Sequence, residues 1–172
     1  GMRDVSVSYL ELGEIEEALK QYENAKEYYV KSVEMRENLL HRAPSLHTKR
    51  NVSISCNRVG DMEKKLGRYE KAREYYAKGL ELALEVLHER QTPFARRDVA
   101  NAYSDMGLIE ESLKHYETAR EYFEKGLIEC EKLNEIEPTD EVKSVSNWFK
   151  RAYERVDKLI AGMKQQEYLY RS

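Results

Sequence analysis

Apolar residues recur at three- and four-residue spacing along almost the whole chain, and the faces between them are charged. Between positions 69 and 87 the apolar set is Tyr69, Ala72, Tyr76, Gly79, Leu80, Ala83, Val86 and Leu87. The intervening set is Glu70, Lys71, Glu74, Lys78, Glu81 and Glu85. That period is the signature of amphipathic helices with one face in a core. Breaks in the pattern at Leu19-Lys20-Gln21-Tyr22, Leu66-Gly67-Arg68-Tyr69 and Leu113-Lys114-His115-Tyr116, with prolines at Pro44, Pro93 and Pro138, divide it into seven helices. The expected spans are 2–19, 22–42, 45–66, 69–90, 93–113, 116–136 and 140–164. Ser45, Thr92 and Thr139 stand where N-caps are needed. Turns of two or three residues force neighbouring helices into antiparallel hairpins.

The pattern also repeats. Gly13, Gly60 and Gly107 are 47 residues apart, as are Ala25, Ala72 and Ala119, and Tyr28, Tyr75 and Tyr122. A fixed period of this size marks stacked helical repeats, here spanning about 3–49, 50–96 and 97–143. Composition agrees with a folded binding surface. Of the 172 residues, 35% are charged and 41% hydrophobic, mean hydropathy is -0.81, and net charge is only -3. This balance gives no basic track for nucleic acid. No apolar run approaches a membrane span, and no secretory signal precedes the repeats. Cys56 and Cys130 fall in different repeats without a CxxC, and are expected to be buried, unbridged thiols of a cytoplasmic protein.

Within each unit the register resembles the tetratricopeptide repeat, whose signature runs W-x2-L-G-x2-Y, then A-x3-F. The three units read Tyr9-x2-Leu12-Gly13-x2-Glu16 with Ala25-x3-Tyr29, Cys56-x2-Val59-Gly60-x2-Glu63 with Ala72-x3-Tyr76, and Tyr103-x2-Met106-Gly107-x2-Glu110 with Ala119-x3-Phe123. A further small residue follows at Ser32, Gly79 and Gly126. Two features depart from the family pattern: the unit is 47 residues rather than 34, and Glu replaces Tyr at the end of the first block. The extra residues must lengthen the helices. The resemblance implies an all-α fold, an α-solenoid of three TPR-like antiparallel hairpins. Trp148, Phe149, Ala152, Val156, Leu159, Ile160 and Met163 give the last helix, at about 140–164, the apolar face of a cap.

The resemblance further implies a concave groove lined by the first helix of each hairpin. By register that face holds Leu10, Glu14 and Glu17 in the first repeat, together with Val7 and Glu11. It holds Ile54, Asn57, Arg58, Asp61 and Lys64 in the second, with Lys65 beside them. The third contributes Asn101, Asp105, Leu108 and Glu111, with Ser104. Its acidic tilt favours a protein or peptide partner carrying a basic group. The Lys/Asn/Arg set with which some family members clamp a C-terminal carboxylate is not matched, because Leu10, Glu14, Asn101 and Asp105 occupy the corresponding places.

Arg3, Arg50 and Arg97 recur at one register and read as a repeat-to-repeat ladder that fixes the stack. Tyr pairs such as Tyr28-Tyr29 read as core and its rim. His41, His47, His88 and His115 lack ligand spacing, and no phosphate-binding loop or nucleophile motif occurs. No cofactor, metal or catalytic residue is therefore expected, and the chain is not expected to be an enzyme. The expected function is a protein-interaction scaffold. Two alternatives remain open: a sensor or regulatory module of a larger transcription regulator or signalling ATPase, and self-association through the N-terminal edge. The first helix shows no cap, which suits a fragment or C-terminal part of a longer protein.

Overall fold

The amphipathic segments form seven helices and no strand among the described residues of the computed structural model: α1 (Met2–Ala18), α2 (Tyr22–Arg42), α3 (Leu46–Lys65), α4 (Tyr69–Glu89), α5 (Pro93–Ser112), α6 (Tyr116–Ile136) and α7 (Asp140–Arg171). The structure describes residues 1–171. Ser172 and the side chains of Met2, Arg3, Tyr170 and Arg171 lie outside the described set. The first six helices end within one residue of the spans read from the sequence. The seventh runs to Arg171, beyond the expected 164, because no proline or glycine cap stops it.

The chain divides into two compact units, Gly1–Gln91 and Thr92–Ser172. In the first, α1 packs on α2, α2 on α3 and α3 on α4. Its core gathers Ala25, Tyr29 and Val33 of α2 against Val52, Cys56, Val59 and Met62 of α3. In the second unit α5 packs on α6 and α6 on α7, around Ala119, Phe123 and Cys130 of α6 and Phe149, Ala152, Val156 and Ile160 of α7.

Each hairpin closes around a small residue facing an aromatic ring. A Cβ built on Gly13 would lie 2.4 Å from the Tyr29 ring, on Gly60 2.7 Å from Tyr76, and on Gly107 2.3 Å from Phe123. All three rings are fully buried. In the first and third repeats the second small residue admits the next helix. Ser32 Oγ lies 3.2 Å from Ser55 Oγ of α3, and a Cβ on Gly126 would lie 2.2 Å from Phe149 of α7. So α7 seats on α6 at the register where α3 seats on α2. The expected cap is present, with a correction: Leu159 and Met163 are exposed, and every residue from 161 to 169 is exposed.

The turns inside the hairpins share one geometry. Lys20, Gly67 and Lys114 have φ of 58°, 74° and 64°. The next amide reaches back five residues in each case: Gln21 N to Glu16 O, Arg68 N to Glu63 O and His115 N to Glu110 O, all at 2.8 Å. This is the Schellman closure, which satisfies the last helical carbonyls. Glycine takes the left-handed position only in the middle repeat; lysine takes it in the others. Between hairpins, Ser45 Oγ accepts from Thr48 N, Thr92 Oγ1 from Ala95 N and Thr139 Oγ1 from Val142 N, as the sequence predicts.

Candidate partner-binding face

The groove residues expected from register divide between the two units. In the first unit they stand on α1 and α3. Leu10 is half-buried and packs against the core. Asn57 faces α4: a Cβ on Gly79 would lie 2.1 Å from Asn57 Oδ1. Ile54 is half-buried. Glu17 accepts from Lys65 Nζ at 2.7 Å and from Tyr29 Oη at 2.9 Å, tying α1 to α3 and to α2. Burial raises its carboxyl pKa, but the Lys65 and Tyr29 hydrogen bonds outweigh it and hold it below 4.5. The Tyr29 hydroxyl is pushed up, first by burial and then by this carboxylate.

Asp61 repeats the device and accepts from Tyr76 Oη at 2.7 Å. Lys64 Nζ lies 5.6 Å from the Tyr76 ring centroid, and Lys65 Nζ 5.1 Å from that of Tyr22. Glu14 is exposed and Arg58 half-buried, 3.7 Å apart across α1 and α3. Glu11 is exposed on the same helix.

In the second unit Leu108 packs against the core, and Asn101 is exposed beside Val145 of α7. Asp105 is half-buried. Glu111 takes a two-pronged pair from Arg155 of α7, at 2.9 and 2.6 Å, which raises the Arg155 pKa. Much of the acidity read from the sequence is thus matched internally: Glu17 by Lys65 and Glu111 by Arg155. Glu11 and Glu14 in the first unit and Asn101 in the second are exposed, and Arg58 is half-buried.

Three positions acquire roles that the sequence did not show. In the second and third repeats the Glu in place of Tyr at the end of the first block serves the turn: Glu110 is 4% exposed and lies 2.7 Å from His115 Nδ1, and Glu63 is equally buried, 3.5 Å from Arg68. Their shared spacing of five residues to the turn was the available signal. At the arginine register, read from the sequence as a ladder, Arg97 pairs with Glu137 of its own hairpin at 2.8 Å; the Arg3 side chain lies outside the described residues. Arg36 is 8% exposed in the first unit, at a register that Ala83 and Cys130 fill elsewhere.

Of the tyrosines, Tyr29 and Tyr76 are core and Tyr28 is rim, stacked on Tyr9 at 6.4 Å between centroids. Cys56 and Cys130 are buried and unbridged, and burial pushes each thiol up to about 11. Among the described residues no three His, Cys, Asp or Glu side chains are grouped to hold a metal ion, and no helix is long and apolar enough to cross a membrane.

Comparison with known proteins agrees with this geometry. Tetratricopeptide repeat family models match residues 6–39 and 52–127. The chain belongs to the tetratricopeptide repeat family, an all-α class of helical-repeat scaffolds for protein–protein interaction. Among solved structures it is similar to BtubC (BKLC) from P. vanneervenii, with a TM-score of 0.60 at 16% identity over 95% of this chain; it spans 66% of that protein. It is also similar to the Sgt2 TPR domain from Aspergillus fumigatus, with a TM-score of 0.51 at 22% identity, covering 89% of this chain and 82% of that one. At these identities the likeness is one of fold. A search of curated proteins finds no match.

Proposed function

We propose that this chain is a scaffold that binds a peptide segment or helix of a partner protein along the first helices of its hairpins. The observation that supports it is the charged row of exposed Glu11 and Glu14 with half-buried Arg58 across α1 and α3, beside groups already engaged in packing. Exposed ion pairs such as Glu14–Arg58 contribute about 0–1 kcal/mol, so a partner can replace them at little cost and use them for selection. A basic group on the ligand meets Glu11 and Glu14. Apolar contact falls to the accessible parts of Ile54 and Leu108, each within its own unit. The test is selection of peptide ligands from a display library, followed by titration against Glu14→Lys. Loss of affinity with unchanged helical content supports this face; equal affinity overturns it.

A second reading, association through the α1 edge, is favoured by a separate observation. Val5, Leu12, Ile15 and Leu19 are 40–64% exposed and lie along one face of α1. Residues 47 positions on are Val52, Val59 and Met62, at most 1% exposed and packed against α2, and the half-buried Leu66. The α1 face thus carries the residues that α3 uses to seat on a neighbouring helix. Sedimentation mass that rises with concentration, and is held at the monomer by Leu12→Lys with Ile15→Lys, supports self-association. A concentration-independent monomer overturns it.

A further inference from the structure

A cavity of about 270 Å³ opens in the first unit, between the start of α1, the end of α2 and the start of α3. Its apolar walls come from Val7, Leu39 and Ala43, and its polar groups from Arg36, His47 and Asn51. Arg36 is more than nine-tenths buried, and its guanidinium donates to Asn51 O at 2.8 Å. Among the described residues no carboxylate pairs with it. A guanidinium stays charged and offers five donors, so Arg36, which gives one bond to a carbonyl and lines the cavity, keeps donors for a group that enters it. Buried cations are ordinarily paired, because the lost hydration must be replaced.

The repeat shows what is missing. Position 51 corresponds to Asp4 and Asp98 in the other units, yet here, beside the buried arginine, it is asparagine. The Asn51 amide is turned to His47, 3.0 Å from its Nε2. The junction from 41 to 50 carries Arg42, Lys49 and Arg50 and no acidic residue, whereas the next junctions contain Glu89, Glu137, Asp140 and Glu141. The cavity also adjoins the N-terminal turn of α3, where the helix dipole favours negative charge.

We infer that this cavity is a binding site for a small free carboxylate with a short apolar body, its carboxylate on Arg36 and its body against Val7, Leu39 and Ala43. The size suits one small molecule, just below the usual range of ligand pockets. The apolar walls disfavour phosphate, which has no hydrocarbon to bury there and would lose more hydration.

The test is calorimetric titration of the chain with 4-methylpentanoate, its neutral amide 4-methylpentanamide, and inorganic phosphate. The acid is expected to bind and to raise the thermal midpoint, with the amide and phosphate at least tenfold weaker. Asn51→Asp supplies the internal carboxylate; it is expected to keep the fold and weaken the acid at least tenfold. Arg36→Met is expected to abolish binding. Equal binding by the amide or by phosphate overturns the inference. So does undiminished binding to Asn51→Asp, or the absence of binding to the wild-type chain at millimolar acid.

Discussion

Gly107 and Phe123 form one contact whose tolerance is a fraction of an ångström. A methyl group on Gly107 would sit 2.3 Å from a fully buried ring, with no flexible chain end to yield. Gly107→Leu is expected to cost about 1–3 kcal/mol by overpacking, read as a lowered thermal midpoint; an unchanged midpoint contradicts the register. Lys114 is the opposite case. At φ of 64° its side chain opposes the left-handed backbone, so Lys114→Gly is expected to stabilise by about 0.5–1 kcal/mol. The first contact was legible in the sequence because small and aromatic residues recur at a fixed offset. The second was not, since lysine does not signal a left-handed turn, and only the alignment of Lys20 and Lys114 with Gly67 gives it away. Arg36 was hidden for a related reason: a single arginine in an amphipathic helix reads as solvated face, and its burial shows only against Ala83 and Cys130. The buried thiols of Cys56 and Cys130, with pKa values pushed up to about 11, are expected to resist a thiol reagent at pH 8 until the chain unfolds.

Between elements, ion pairs tie first helices to their neighbours, and their pH response distinguishes them. Glu17 joins α1 to Lys65 of α3 and to Tyr29 of α2, and its folded pKa is held below 4.5. The folded state therefore binds the proton less readily than the unfolded chain. Its contribution is complete above about pH 4.5 and is lost as pH falls through the folded value. Glu17→Gln is expected to flatten the fall in thermal midpoint as pH drops below about 4.5; an unaltered profile contradicts the assignment. Helix boundaries were legible because prolines, Ser45, Thr92 and Thr139 punctuate a clean period. The partners of Glu17 and Glu111 were not, because exposed-face charges carry no label for the helix they will meet. Arg155, which holds Glu111, lies in α7, beyond the repeats whose register was compared.

For the whole molecule, family and binding mode stand at different distances from the sequence. Three copies of one register suffice for the helical-repeat class, because each copy must pack its neighbour in the same way. A partner is chosen by what packing leaves over. Within the first unit that remainder is the row of Glu11, Glu14 and Arg58 and, on a separate face of α1, the stripe of Val5, Leu12, Ile15 and Leu19. The most direct measurement is amide hydrogen exchange of the chain with and without a ligand selected from the peptide library. Slowed exchange in α1 and α3 on ligand binding, with α2 and α4 unchanged, is the expected result. Protection confined to α2, α4 and α6, with α1 and α3 exchanging as in the free chain, would contradict it.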